Sequence, residues 1–288
     1  MTSAGSSASS GVPPIVRREV VDSTQTVAWE LVEAGAADRT VVLADHQLAG
    51  RGRRDRSWHD EPGASLLLSI VVRPRLPVEQ VPTLSLATGV AVAEALLRRF
   101  GIEARLKWPN DVLVRGRKIA GILLESRIGA SVRAGTADTA APGIYRRPPA
   151  DEPELAAPAT TNTDLAAPVT VIGIGLNLGQ CAFPGALQGR ATSVALETGR
   201  PADREAALTA LLAEFDRWRL CLEREGFRPV RTRWVALSDT IGRSVSAGGV
   251  SGVAVDLDLD GALIVVDGAR CHRIASGEIA EGEHAPRG

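Results

Sequence analysis

Four arginines lie within six residues of the segment GRGRRDRSW, which occupies residues 50–58. They are Arg51, Arg53, Arg54 and Arg56. Gly50 and Gly52 let the backbone approach a ligand closely, and Gln47 adds an amide just before the segment. The clustered guanidinium groups repel one another unless an anion neutralises them. The segment therefore predicts a site for phosphate or carboxylate.

The same residues have a second interpretation, a solvated loop or a contact with nucleic acid. Aromatic residues are 3% of the chain, too few for a platform on which single-stranded bases stack. The net charge of −1, from 33 Lys+Arg against 34 Asp+Glu, gives no overall attraction to nucleic acid or to an anionic membrane. We expect neither partner.

A second polar group, KWPND, stands where a predicted strand ends. Pro109 fixes its own φ and lacks an N–H, so the chain should turn there. The turn would present Lys107, Asn110 and Asp111 from neighbouring positions, although Asn-Asp after proline is also an ordinary turn.

Lys118 and Asn177 complete the set of candidate residues. Lys118 begins the second strand of a predicted hairpin in GRKIAGIL, and small and apolar neighbours would hold its ammonium group firmly. Asn177 ends the predicted strand in GIGLN with an amide that donates and accepts. Neither a complete GxGxxG nor a GxxxxGK[ST] motif is present, so neither a dinucleotide fingerprint nor a P-loop is predicted.

Alternating strand and helix patterns should position these groups. Apolar runs predict buried strands, and apolar residues at helical spacing predict amphipathic helices. The predicted strands cover 16–21, 40–44, 65–72, 104–108, 112–114, 118–125 and the stretch from 169, and the main helices start near 23, 84 and 208. From about residue 237, short Val-rich strands with Asp-Gly turns predict a small β-barrel. The pattern indicates an α/β (α+β) core plus this β-rich appendage.

Two segments are too poor in large apolar side chains to offset the entropy of ordering. We predict a disordered tail at 1–14 and a disordered, dispensable insertion at 128–167. The remaining boundaries give a catalytic domain over 15–236 and a C-terminal domain over 237–288.

Chain length and the counts of cysteine and histidine limit the class of protein further. The 288 residues suit about two domains at roughly 150 residues each, and one large domain with an appendage fits equally well. The 3 cysteines are far apart, and the 4 histidines lack zinc-binding spacing, so neither a disulfide framework nor a dedicated metal site is expected. With neither a signal-peptide pattern nor an apolar run long enough to span a membrane, we expect a cytoplasmic protein.

The sequence contains four motifs, GRGRRDRSW, KWPNDV, GRKIAGIL and GIGLN. Their sequences, order and spacing closely resemble those of the biotin protein ligases. The resemblance spans about residues 15–280, except the insertion. It implies a class II synthetase-like mixed sheet with flanking helices and a C-terminal SH3-like β-barrel. Because only about 14 residues precede the first predicted strand, we expect the short form without an N-terminal DNA-binding domain.

The resemblance also implies the reaction and the roles of residues. Members join biotin to ATP as biotinoyl-5′-AMP, with Mg²⁺ carried on the ATP phosphates, and then transfer biotin to a lysine of a carboxylase's biotin carboxyl carrier domain. The implied biotin-binding residues are Ser23, Thr24, Gln25, Gln47, Gly50, Arg51, Gly52, Arg53, Trp58 and Lys118. The implied nucleotide-binding residues are Arg53, Arg56, Lys107, Asn110, Lys118 and Asn177, and the implied catalytic residues are Lys118, Arg53 and Asp111.

This sequence departs from the family at Gln25, since Asp-Ser-Thr-Gln stands where members commonly have Ser-Thr-Asn. We further predict that the 45–63 loop closes over the acyl-adenylate as a lid. A lipoate ligase or octanoyltransferase of the same superfamily is the nearest alternative, and an RG-loop nucleic-acid-binding module is the second. A homodimer formed through a sheet edge is left open.

Overall fold

The computed structural model describes residues 13–54, 56–128, 167–277 and 279–281. Most of the predicted tail and of the predicted insertion, residues 1–12 and 129–166, lies outside the described residues.

A seven-stranded mixed sheet forms the centre of the fold. Its strands are β1 Ile15–Val21, β2 Val41–Gln47, β3 Ser65–Val72, β4 Arg105–Lys107, β5 Asp111–Val114, β6 Arg117–Arg127 and β7 Val169–Asn177. The spatial order is β1-β2-β3-β7-β6-β5-β4, in which only β1 and β2 pair in parallel among the described strands. Every residue of β3 is buried, as its mostly apolar sequence predicts.

Five α-helices flank this sheet within the described residues: α1 Thr24–Glu33, α2 Thr83–Phe100, α3 Val194–Thr198, α4 Arg204–Glu225 and α5 Phe227–Leu237. On one face, Ala28 and Trp29 of α1 pack on Val42, Val71 and Val171. On the other face, α2, α4 and α5 build the main core.

Helix α5 was not predicted. It buries Phe227, Val230 and Trp234 at helical spacing, but it follows α4 after a single residue, Gly226, whose φ is +76°. Because glycine adopts a positive φ at little cost, the chain changes direction there without a loop that would mark a new helix.

The expectation that the chain has no apolar run long enough to span a membrane was wrong for Val78–Phe100, which is long and apolar enough, by length and composition, to cross one. Buried residues make up 78% of its most apolar window. Its apolar surface is therefore covered by the rest of the protein, as in a core helix.

The C-terminal part is a five-stranded antiparallel sheet in the order β11-β10-β9-β8-β12. Its strands are β8 Ser244–Ala247, β9 Val250–Leu257, β10 Leu263–Asp267, β11 Arg270–Ile274 and β12 Ala280–Glu281. The turns at Gly261 and Gly268 have positive φ, as the two Asp-Gly pairs predict. The predicted fold class, a mixed α/β core with a small β appendage, is confirmed.

Candidate functional site

A cavity of about 550 Å³ lies between the central sheet and the loop that joins β2 to β3. Every predicted site residue except Gly50 lines it. The lining includes Arg51, Arg53, Arg56, Lys107, Lys118 and Arg190. Asp111 is the only carboxylate among the described lining residues. This excess of positive charge favours an anionic ligand.

One group of lining residues, which we call the amide-hydroxyl cluster, consists of Ser23, Thr24, Gln25, Gln47 and Ser69. The backbone N and Oγ1 of Thr24 donate to Oε1 of Gln47 at 2.8 and 3.1 Å. Ser69 Oγ lies 2.9 Å from Thr24 Oγ1 and donates to Gln25 Oε1 at 2.8 Å. Ser23 is the N-cap residue of α1, and its hydroxyl accepts from the Gln25 N–H. The cluster is a preorganised set of neutral donors and acceptors.

Lys118 lies where the ladder between β5 and β6 is irregular. Leu113 pairs with Lys118 while Val112 pairs with Ala120, so one residue of β6 is extra. Such a bulge changes the direction of a side chain. The Lys118 ammonium lies 2.6 Å from Oδ1 of Asp111.

The remaining residues of KWPND are held close by. Lys107 pairs with Asp111 across β4 and β5, and the Asn110 amide donates to the Ile122 carbonyl at 2.8 Å. Strand pairing thus brings KWPND next to Lys118.

The arginine segment folds back on itself. Arg51 and Ser57 form an antiparallel bridge, and the Gly52 N–H donates to the Arg56 carbonyl at 2.6 Å. Arg51 also forms an ion pair of 2.6 Å with Glu125 of β6. Burial, together with the positive charges of Arg54 and Arg56, lowers the pKa of Arg53, against the opposing effect of Asp111. An anion in the cavity would relieve this repulsion.

Trp58 covers two glycines of the sheet. Gly121 and Gly175 are partners in the β6–β7 ladder, and an added Cβ at either would fall against the indole. The ammonium of Lys118 lies 5.6 Å from the ring centroid, within cation–π range. The indole N–H is buried without a hydrogen-bond partner in the structure. An acceptor from a ligand would satisfy that N–H.

Two predicted residues are placed differently from the others. Gly50 lies outside the lining, where a Cβ would come 2.6 Å from the Trp58 carbonyl oxygen, so close backbone packing explains the glycine. Asn177 lines the cavity, but its amide donates to Thr192 and accepts from Gln180. Its contact with a nucleotide stays a prediction.

Other lining residues were missed from the sequence. Arg190 and Ala191 come from the segment after β7, and Ile279 comes from the C-terminal part. Ser69 and Gly175 lie inside buried strands. For Gly175 the sequence carries a signal, a small residue inside an apolar strand, which marks a close approach by another group.

No group of three or more His, Cys, Asp or Glu side chains that could hold a metal ion occurs in the described part of the chain. The lining does offer Asp111, whose carboxylate oxygen is a ligand type that Mg²⁺ accepts. That Mg²⁺ would be carried mainly by phosphates stays a prediction.

Comparison with known protein sequences shows the family to which this chain belongs. A model of the biotin/lipoate A/B protein ligase family matches residues 18–137. The biotin--[acetyl-CoA-carboxylase] ligase of Paracoccus denitrificans is 34% identical over 253 residues, which cover 85% of this chain and 90% of the relative. The Mycobacterium tuberculosis enzyme of the same name is 32% identical over 91% of this chain and 87% of the relative.

The fold also agrees with that of a solved biotin protein ligase. The biotin protein ligase from Aquifex aeolicus, solved in complex with biotin and ATP, superposes with a TM-score of 0.71 at 25% identity, covering 93% of this chain and 97% of that one. The chain belongs to the biotin/lipoate A/B protein ligase family. The resemblance to biotin protein ligases inferred from the four motifs is confirmed.

Proposed function

We propose that this chain is a biotin--[biotin carboxyl-carrier protein] ligase that forms biotinoyl-5′-AMP and pyrophosphate from biotin and ATP, then transfers biotin to a lysine. One observation carries the proposal. One cavity is lined by residues of the arginine segment, of KWPND and of GIGLN, by Lys118 and by the neutral amide-hydroxyl cluster. Such a cavity suits a ligand with a neutral polar end and an acidic end, which must meet a phosphate.

The amide-hydroxyl cluster fits the neutral end of biotin. The ureido ring has one carbonyl and two N–H groups, so it needs donors and acceptors held side by side. Thr24 already donates to Gln47 and Ser69 to Gln25, which fixes the directions of these side chains before the ligand arrives. The apolar rest of biotin would lie against Trp58 and the glycines beneath it.

The cationic residues fit the first half-reaction. A biotin carboxylate oxygen attacks the α-phosphorus of ATP, a P–O bond forms, and the bond to the pyrophosphate leaving group breaks. Two anions must meet, so catalysis depends on positive charge that is already in place. Lys118, Arg53 and Arg56 line the cavity and would supply that charge. ATP brings Mg²⁺ on its phosphates, and that ion neutralises further charge when bound.

Asp111 fits the second half-reaction. The acceptor lysine attacks the biotinoyl carbonyl only as a neutral amine, and AMP leaves with the electrons of the broken C–O bond. The Asp111 carboxylate is paired with Lys118 in this structure. When Lys118 turns to phosphate, the carboxylate becomes available to orient the incoming amine and accept its proton.

We assign the acceptor as the biotin carboxyl carrier domain of a carboxylase, because relatives at 32–34% identity are named as ligases for acetyl-CoA carboxylase. We place the reaction in the cytoplasm, a compartment in which the free thiols of Cys181, Cys221 and Cys271 would stay reduced.

The test is biotin-dependent exchange of labelled pyrophosphate into ATP by the purified protein. We expect exchange with biotin and none with lipoate or octanoate. Exchange supported by lipoate but not by biotin would identify the alternative within the superfamily. Salt-sensitive binding to RNA or DNA, with no exchange for any acid, would identify the nucleic-acid alternative.

A further inference from the structure

Glu197 is a buried carboxylate outside the catalytic cavity. It lies in α3, and its side chain is 2% exposed. Its Oε1 accepts from Thr192 Oγ1 at 2.6 Å and from Arg117 Nη2 at 2.7 Å. Its Oε2 lies 3.4 Å from Nη1 of Arg115. Burial of a carboxylate is costly unless it is paired in this way.

The two hydrogen-bond donors to Glu197 lie on the two chain segments that pair with each other at Lys118. Arg117 precedes Lys118 on β6. Thr192 belongs to the segment that pairs with Lys118, where the Lys118 N–H donates to Arg190 at 2.8 Å and the Lys118 carbonyl accepts from Thr192 at 2.9 Å. Glu197 therefore joins both partners of this short parallel bridge.

This bridge matters because the other side of Lys118 is irregular. The bulge between β5 and β6 leaves that ladder interrupted at Lys118. The segment 190–192 then supplies the regular backbone hydrogen bonds, and Glu197 holds that segment against β6. We infer that Glu197 is a positioning residue, which acts through Arg117 and Thr192 to set the place of the Lys118 ammonium in the reaction with ATP. This inference rests on the proposed function.

The expected effect is on rate rather than on binding of biotin. Lys118 would stabilise the negative charge that develops as the carboxylate reaches the α-phosphorus. Its displacement would therefore reduce the stabilisation of the transition state more than the binding of biotin. A misplacement of about 1 Å can cost about a hundredfold in rate. For Glu197→Ala we expect the kcat of pyrophosphate exchange to fall about tenfold to a hundredfold, with the KM for biotin unchanged within about threefold.

A matched control is Glu214→Ala. Glu214 is also a buried glutamate, 9% exposed, and pairs with Arg98 at 2.9 Å and with Arg217 at 2.8 Å, away from the cavity lining. Both substitutions remove a buried, doubly paired carboxylate, so both should lower thermal stability. Only the Glu197 substitution should lower kcat. An equal loss of kcat in both variants would assign the effect to general destabilisation and overturn the inference.

Two further variants keep the test decisive if Glu197→Ala folds poorly. Glu197→Gln retains an oxygen that accepts from both donors, so its kcat should stay within about threefold of the wild-type value. Thr192→Val removes one donor and should give an intermediate loss of kcat. A Gln variant as slow as the Ala variant, or a Thr192→Val variant with unchanged kcat, would overturn the inference. Absence of biotin-dependent exchange in the wild-type protein would instead refute the proposed function.

Discussion

Gly175→Ala tests the contact between the sheet and Trp58. The added methyl group would lie 2.5 Å from Cε2 of the indole and 2.6 Å from Cζ2. Gly175 does not have a positive φ, so the strand itself accepts alanine without strain. The three atoms nearest to that methyl group all belong to the indole, which must move out of its place in the cavity.

The size of the effect follows from the required displacement. Ordinary contact begins at about 3.4 Å, so the ring must move by roughly 1 Å. A shift of that size in a group that positions substrate costs about a hundredfold in rate, or about 2.7 kcal/mol of transition-state stabilisation. We expect kcat/KM for biotin-dependent pyrophosphate exchange to fall by that factor, while the thermal midpoint changes little.

Gly89→Ala provides the control. Gly89 lies in α2, and a Cβ there would meet Ile122 and Leu106 at 3.6 Å, an ordinary contact distance. We expect unchanged exchange activity and a gain in stability of about 0.5–1 kcal/mol, because alanine suits a helix better than glycine. A Gly175→Ala enzyme with normal exchange would refute the proposal that the indole's position is needed for the first half-reaction.

Three further predictions concern the arginine segment, Lys118 and the predicted insertion. Lys118→Ala should lose most biotin-dependent pyrophosphate exchange, since it removes the ammonium group that lies beside Asp111 in the cavity, and near-normal exchange would refute its assignment. Arg53→Gly should keep part of the adenylation activity but release biotinoyl-AMP, measured as free acyl-adenylate; no increase in release would count against the lid. Deletion of residues 129–166 should leave exchange unchanged, because Arg127 and Val169 are paired neighbours that a short turn can join, and loss of activity would show otherwise.

Much of the fold could be predicted from local patterns. The mostly apolar sequence of β3 predicted its bounds, 65–72, because a strand buried on both faces needs no regular polar alternation. Helix α2 ends at Phe100, before Gly101, which has a φ of +68°. Glycine at that position is a typical helix end, so the boundary is visible in the sequence. Helix α5 was missed because a single glycine separates it from α4.

The candidate site was only partly predictable. The chemistry of the residues predicted an anion-binding cavity, and the order of the four motifs supplied the family. The pairing of Arg51 with Glu125 joins residues 74 positions apart, so no local pattern could reveal it. Likewise, the amide of Asn177 is directed to Thr192 by a segment whose path the sequence did not predict.

The sequence by itself determined which charges, glycines and amides this protein carries and which segments are buried, because these depend on residue type and on spacing along the chain. The tertiary structure decided which of them meet. The register of β6 against β7 places Gly121 beside Gly175 and leaves space for Trp58, while the bulge at Lys118 makes that residue depend on the segment 190–192. Such contacts arise from strand register and close packing between distant segments, which no short stretch of sequence encodes.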